Sequence, residues 1–136
     1  MNVREARPDE VDEVLAVWRA AGSPPSVTDS ADHVRGLIGR EGTWLLVAEE
    51  EGRLAGTLIA AYDGWRGAFY RLAVLPGHRR RGIAAALVRE GEARLHTAGA
   101  RRIGAIVLEE SDDARGFWSS AGFELQLDAL RYVKTT

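Results

Sequence analysis

The apolar positions of this chain follow two different periods, and the changes of period outline its elements. Short apolar and β-branched runs between turn residues predict four strands. These predicted strands cover residues 3–6, 43–49, 53–62 and 68–75. The dipeptide Asp63-Gly64, typical of hairpins, joins the last two runs. We therefore expect an antiparallel meander in the middle of the chain.

Apolar residues at helical spacing predict four helices between and after these strands. The predicted helices cover residues 9–21, a short segment from about 30, residues 82–96 and residues 112–121. Asp29 or Ser30 is a suitable N-cap for the second helix, and Gly99 is a suitable C-cap for the third. The loop between the first two helices, with its consecutive prolines, cannot continue either of them.

The C-terminal third adds a short apolar strand over 103–108 and one or two terminal strands within 123–134. The succession of strand, helix and strand between 68 and 108 indicates a parallel pair joined by a right-handed crossover. The expected fold class is therefore α/β (α+β), with a mixed, mostly antiparallel sheet and helices on both faces. At 136 residues we expect a single domain over 1–136.

Composition excludes several classes of function. The net charge of −2, from 18 basic and 20 acidic residues, argues against a nucleic-acid partner. With no cysteine and three isolated histidines, no metal-binding spacing is present, and no metal is expected. No apolar stretch approaches the length of a membrane span, and the polar N-terminus does not resemble a signal peptide. We expect a cytoplasmic protein with no membrane partner.

The segment from Arg79 to Ala84, R-R-R-G-I-A, carries the clearest chemical signal. It places three arginines and Gly82 at the start of a predicted helix, where the first backbone N–H groups lack partners and the macrodipole is positive. Such a helix start is suited to bind an anion. A solvated basic run is the alternative. The other phosphate motifs, G-x-x-x-x-G-K-[ST] and G-x-G-x-x-G, are absent.

The wider segment L-A-V-L-P-G-H-R-R-R-G-I-A, residues 72–84, resembles the acetyl-coenzyme A signature of the GNAT acetyltransferase superfamily. That signature, R/Q-x-x-G-x-G/A, is matched by Arg79, Gly82 and Ala84. Residues 111–123, S-D-D-A-R-G-F-W-S-S-A-G-F, resemble the later family segment N-x-x-A-x-x-F-Y-x-x-x-G-F. The hairpin Y-D-G-W-R-G, residues 62–67, is similar to that of a small bacterial subgroup. The order of elements agrees over nearly the whole chain.

The resemblance implies an N-acetyltransferase that moves the acetyl group of acetyl-CoA directly to an amine of a peptide, protein or small molecule. It implies a splayed parallel strand pair with the thioester between the strands near Leu72. The expected cofactor-binding residues are Leu72, Ala73, Val74, Arg79, Arg80, Arg81, Gly82, Ile83, Ala84, Ser111, Arg115 and Trp118. The first three would pair with the pantetheine arm, and the backbone of 80–84 would hold the pyrophosphate. A homodimer is left open.

Two departures from the family pattern leave the catalytic residues unknown. Trp118 stands where the family often has a tyrosine acid, and an indole only donates a hydrogen bond. Ala68 and Ile106 stand where some members carry a glutamate base. Weak candidates for the base are the carboxylates of Asp63, Glu109 and Glu110. An acceptor of low pKa, such as an α-amine, is favoured because it needs less help to lose its proton.

Two other functions stay open from the sequence. A sensor could bind acyl-CoA in the same cleft without turnover, as Trp118 and the missing base allow. A ribosome-associated or toxin-antitoxin protein could use the basic loop on RNA, although the net charge disfavours it. In relatives the loop over 22–32 closes over the acceptor. Its Asp29 and Asp32 would suit a cationic group, but helix capping explains them equally well.

Overall fold

The computed structural model describes residues 1–107 and 112–136. The elements in chain order are β1 (Asn2–Glu5), α1 (Val11–Ala20), α2 (Ala31–Arg35), β2 (Thr43–Glu50), β3 (Arg53–Tyr62), β4 (Gly67–Val74), α3 (Ile83–Ala98), β5 (Ile103–Ala105) and α4 (Asp112–Ser120). Single 3₁₀ turns precede α1 (Pro8–Glu10) and follow β4 (Pro76–His78). The Ser30 hydroxyl accepts from the backbone N–H of His33 and so confirms the predicted cap of α2.

The strands form one mixed sheet in the order β1-β2-β3-β4-β5. The first four strands are antiparallel to their neighbours, and β4 and β5 are parallel. The parallel pairing covers only three residues of each strand, from Gly67 opposite Ile103 to Phe69 opposite Ala105. Beyond that point β4 continues to Val74 while β5 ends. The expected fold class is confirmed, and among the described residues no strand pairs with β4 on that side along its second half.

Helices cover both faces of the sheet because successive strand residues alternate between two apolar clusters. In β2, Leu45 and Val47 belong to the cluster under α1 and α2, whereas Leu46 and Ala48 belong to the cluster under α3. Partly buried aromatic residues of α4 and the turn after it extend the second cluster. The long helix and the α4 segment therefore lie on the same face of the sheet.

Three glycines bring α3 close to the sheet. A Cβ at Gly56 would lie 2.8 Å from Ile83, one at Gly67 2.9 Å from Leu95, and one at Gly91 2.7 Å from Phe69. Real Cβ atoms do not approach other atoms this closely, so a larger side chain at any of these positions requires the contacting side chain or the helix to shift. The contacts fix α3 along its length and place its N-terminus beside the end of β4.

The predicted terminal strands over 123–134 are wrong. The described residues after α4 form no strand, and Leu125 and Leu127 are 56% and 84% exposed. An alternating apolar pattern forms a strand only where a sheet edge offers a ladder of matching length. The neighbouring edge is β5, which has three residues where the sequence predicted six, of which Leu108 lies outside the described residues.

Within the described part of the chain, no helix combines the length and the apolar character that crossing a membrane requires.

Candidate active site

A β-bulge interrupts β4 where its parallel partner ends. On β3 the single residue Leu58 stands opposite two residues of β4, Arg71 and Leu72, because the register shifts between Thr57 and Ile59. Arg71 takes a left-handed backbone with φ of 55°, a conformation usual for glycine and strained for a long side chain. Surrounding contacts must hold this bulge in place.

The side chain of Arg71 ties the bulge to the loop between α1 and α2. Its guanidinium donates to both carboxylate oxygens of Asp29 at 2.7 Å and to the carbonyl of Pro24 at 2.9 Å. The guanidinium also lies 5.1 Å above the ring of Trp18. The Asp29 carboxylate, considered above for a cationic acceptor, thus serves an internal ion pair.

The backbone carbonyl of Arg71 accepts a separate hydrogen bond on the face of the sheet that α1 covers. The buried hydroxyl of Thr57 donates to it at 3.0 Å, and the indole N–H of Trp18 donates to the same hydroxyl at 2.8 Å. Both polar groups are satisfied in a buried position, as such groups normally are. These hydrogen bonds were not predicted from the sequence. Their one visible signal is an arginine inside the otherwise apolar run F-Y-R-L-A-V.

Past the bulge, β4 turns backbone groups toward the side that β5 leaves open. Leu75 donates its N–H to Ala55 at 2.8 Å, and Ala73 pairs with Thr57 in the same register, so the backbone groups of Ala73 face β3. The carbonyl of Leu72 and the N–H of Val74 share peptides with those groups and point the opposite way. Of the three predicted residues, Leu72 and Val74 thus offer backbone groups, whereas Ala73 uses its own in the sheet.

The N-terminus of α3 follows this strand after the loop of residues 75–82. Gly82 is its N-cap with a left-handed φ of 78°, no side chain caps the helix, and a Cβ at Gly82 would have nothing within 4 Å. The first helical bond runs from the N–H of Ala86 to the carbonyl of Gly82 at 3.0 Å. The N–H groups of Ile83 and Ala84 precede that bond and are left for a ligand, while the Ile83 side chain is buried in the core.

The three arginines of the loop do different things. Arg79 donates to the carbonyls of Val74 and Ala21, each at 3.3 Å, and so ties the end of β4 to the end of α1. Arg81 lies 3.5 Å from Glu50. Arg80, with a left-handed φ of 64°, makes no side-chain bond within residues 1–107 and 112–136. It is the cation of this loop best placed to meet an incoming anion.

Glu50, at the end of β2, contacts two residues of the loop between β4 and α3. Its carboxylate accepts from Nδ1 of His78 at 2.7 Å as well as facing Arg81. The hydrogen bond from His78, followed by the charge of Arg81, holds the pKa of Glu50 below its ordinary value. The carboxylate therefore stays ionised and anchors the loop of residues 75–82 rather than exchanging protons.

The residues predicted on the other wall of the cleft are only partly described. Ser111 and the candidate bases Glu109 and Glu110 lie outside the described residues, so those predictions stand untested. Arg115 is exposed on α4. The ring of Trp118 lies 5.1 Å from Phe117, 5.0 Å from Phe123 and 6.5 Å from Phe69, centroid to centroid, and packs against the second core cluster.

Asp63, the remaining weak candidate for a base, serves the hairpin between β3 and β4. Its carboxylate accepts from the backbone N–H groups of Arg66 and Trp65, each at 2.8 Å. These two bonds lower its pKa, which makes the carboxylate a poorer proton acceptor. The turn also lies at the far end of β4 from Leu72, roughly 20 Å away for an extended strand. Ala68 and Ile106, nearer the splay, carry no titratable group.

The site thus combines a helix N-terminus open to an anion, a basic loop, and a strand edge whose Leu72 carbonyl and Val74 N–H face away from β3 beside the point where the parallel pairing ends. Among the residues that the structure describes, no group of three or more acidic or histidine side chains could hold a metal ion. A helix start of this kind beside a basic loop is typical of the class of proteins that bind phosphorylated ligands.

Comparison with known proteins identifies that class. Residues 10–123 match the family model described as the acetyltransferase (GNAT) family, and the chain belongs to this family. Acetyltransferase SG1711 of Sodalis glossinidius (strain morsitans) is 31% identical over 130 residues, which cover 96% of this chain and 92% of that protein. The expected enzyme class, an acetyltransferase that uses acetyl-CoA, is confirmed.

Solved structures show the same fold at low sequence identity. The aminoglycoside 6′-N-acetyltransferase AAC(6′)-IG of Acinetobacter haemolyticus superposes with a TM-score of 0.81 at 19% identity, covering 100% of this chain and 99% of that one. AAC(6′)-Iy, solved with a bisubstrate analogue made of CoA and acetylneamine, gives a TM-score of 0.80 at 16% identity, covering 99% and 98%. Similarity at this level establishes the fold.

Proposed function

We propose that this chain transfers the acetyl group of acetyl-CoA directly to an amine, with the cofactor lying along the open side of β4 and its pyrophosphate at the start of α3. The observation that carries the proposal is the position of the uncapped α3 N-terminus. It follows, after the loop of residues 75–82, the strand whose Leu72 carbonyl and Val74 N–H face away from β3.

The residues present fit such a cofactor. Space is open at Gly82, and the N–H groups there and at Ile83 and Ala84 would meet the pyrophosphate, with Arg80 adding a positive charge. Arg79 and Arg81 would act mainly by holding the loop through Val74 and Glu50. The amides of a pantetheine arm need one acceptor and one donor from the strand. The Leu72 carbonyl and the Val74 N–H supply them.

When bound, acetyl-CoA supplies an activated thioester. The chain's own contribution is to align the thioester carbonyl with the backbone of β4, where an N–H donor stabilises the negative charge that develops on the carbonyl oxygen. The acceptor amine attacks that carbonyl, the bond to sulfur breaks, and the thiolate leaves with the proton that the amine gives up. No acyl-cysteine forms on this chain, because it contains no cysteine.

The acceptor is proposed as an amine of low pKa, either a peptide α-amine or a small-molecule amine. Freeing a lysine-like amine of its proton at pH 7 costs roughly 4–5 kcal/mol, against about 1.4 kcal/mol for an α-amine. Asp63 is engaged in a turn, and Glu109 and Glu110 remain the candidate bases. The aminoglycoside acetyltransferases that share the fold make a small-molecule amine a reasonable first test. A cytoplasmic location and a homodimer are predictions from the sequence.

Turnover tests this proposal directly. Release of free coenzyme thiol from acetyl-CoA should require the protein and should rise when a matching amine is added from a panel of α-amino peptides, aminoglycosides and polyamines. Mass spectrometry should find the acceptor heavier by one acetyl group. Tight binding of acetyl-CoA with no acetylated product from any amine would instead favour the sensor function, for which Trp118 in place of a phenol gives the reason.

A further inference from the structure

The most unusual backbone feature of the chain is the bulge at Arg71, and two residues on other elements determine which way its peptide faces. Thr57 lies on β3 and Trp18 on α1, and neither belongs to the loop of residues 75–82. Both are buried, at 0% and 4% exposure. Their hydrogen bonds end on the Arg71 carbonyl, which belongs to the same peptide as the N–H of Leu72.

From this arrangement we infer that Thr57 is a positioning residue for acetyl transfer, which fixes the 71–72 peptide so that the Leu72 N–H is presented to the thioester carbonyl. The inference rests on the function proposed above. Thr57 touches no cofactor atom in this role and acts only through the strand.

Peptide geometry supplies the first step. The chain has no cis peptide bond, and in a planar trans peptide the carbonyl and the N–H point in opposite directions. The Arg71 carbonyl points to the Thr57 hydroxyl, at 3.0 Å, on the face of the sheet that α1 covers. The Leu72 N–H therefore points toward the other face, which α3 covers and where the phosphate site begins.

The second step is that this orientation needs to be held. The left-handed φ of Arg71 is strained for a residue with a Cβ, so the bulge persists only if its surroundings determine it. Asp29 and Pro24 hold the Arg71 side chain, but they leave rotation of the following peptide free. The Thr57 hydroxyl is the contact that fixes this rotation, and the Trp18 N–H orients the hydroxyl by donating to its oxygen.

Three substitutions separate positioning from stability. Thr57→Val keeps the shape and removes the donor to Arg71, Thr57→Ser restores the donor, and Trp18→Phe removes the donor behind Thr57 while leaving the Thr57 bond possible. A lost donor to a developing oxyanion costs typically 10²–10³ in kcat, and a misdirected one should cost less. We expect Thr57→Val to lower kcat by about 10- to 100-fold, with KM for acetyl-CoA within about threefold. Thr57→Ser should stay within about fivefold of the parent in kcat, and Trp18→Phe should lower kcat by less than Thr57→Val does.

Melting temperatures of all three variants set an assay temperature at which each is folded. If a folded Thr57→Val variant keeps its kcat, or if Thr57→Ser loses kcat to the same extent, the inference is wrong and Thr57 serves stability alone.

A binding measurement keeps the inference testable without turnover. In ¹⁵N-labelled protein, acetyl-CoA should shift the Leu72 amide signal further than CoA does, and Thr57→Val should abolish that difference. If acetyl-CoA binds and the Leu72 signal responds equally to both ligands, the inference fails while the proposed function stands. If acetyl-CoA does not bind at all, the proposed function fails, and the inference with it.

Discussion

Replacing Gly82 with aspartate tests the phosphate site at its centre, because it adds one carboxylate at the N-cap of α3 and touches nothing else. A Cβ at this position has no atom within 4 Å, so no steric clash is introduced. The left-handed φ of 78° costs a residue with a Cβ about 1–2 kcal/mol. A negative charge at a helix N-terminus returns about 0.3–1 kcal/mol. The fold should therefore lose at most about 1–2 kcal/mol.

Cofactor binding should suffer much more. The added carboxylate would lie roughly 5 Å from the pyrophosphate, and each pair of like charges at that distance costs about 0.8 kcal/mol in bulk water and about 3 kcal/mol at an effective dielectric constant near 20. Two phosphate charges then lower affinity by more than about tenfold even in the weaker case. The carboxylate also competes for the N–H groups of Ile83 and Ala84.

Calorimetric titration with acetyl-CoA, with circular dichroism to confirm folding, measures the effect, which should shrink as salt is raised. Two matched variants separate the causes of the loss of acetyl-CoA affinity. Gly82→Asn keeps the left-handed position and the size without the charge. Gly77→Asp puts the same charge elsewhere in the loop, also with nothing within 4 Å of its Cβ. Gly77→Asp should bind within about threefold of the parent, and Gly82→Asn should lose clearly less affinity than Gly82→Asp because it lacks the charge. Unchanged affinity in folded Gly82→Asp, or an equal loss in Gly77→Asp, would refute the assignment of the pyrophosphate to this helix start.

Other predictions concern acid stability, the aromatic cluster and the packing of α3. A hydrogen bond from the Arg4 side chain is the main reason that the pKa of Glu10 falls from 4.5 to about 2. Burial raises this pKa, and a hydrogen bond from the Arg7 backbone lowers it further. That carboxyl should contribute up to about 3 kcal/mol above pH 4.5, lost as the pH falls toward 2, and Glu10→Gln should remove this pH dependence in urea titrations. Trp118→Phe should leave the pH profile of turnover unchanged. A gain of a hundredfold in Trp118→Tyr, with a new alkaline limb near pH 10, would show instead that a phenol is still accommodated as the acid. Gly91→Ala should lower stability by about 1–3 kcal/mol because its Cβ would meet Phe69 at 2.7 Å. Gly116→Ala, in open space on α4, should not destabilise, and equal melting temperatures for the two would contradict the close packing of α3.

The sequence was sufficient for the features that depend on neighbours along the chain. The periods of two and 3.6 located the meander and the long helix to within a few residues, since they reflect which face of each element is buried. Gly82 and Gly99, both left-handed here, marked the two ends of α3 because few other residues take that conformation. The segment 79–84 indicated a helix start beside a basic loop for the same reason, since both are local features; that a phosphate binds there stays a prediction.

What the sequence could not supply depends on contacts between distant segments. Arg71, Thr57, Trp18 and Asp29 come from four separate parts of the chain, and only the folded structure joins them around the bulge. The C-terminal alternation over 123–134 failed as a predictor because a strand requires a partner edge, which no local pattern reveals. The three consecutive arginines likewise differ because of tertiary contacts. Arg79 donates to the carbonyls of Val74 and Ala21, and Arg81 faces Glu50. Local pattern fixes the elements, whereas tertiary contacts determine which backbone and side-chain groups are left free for chemistry.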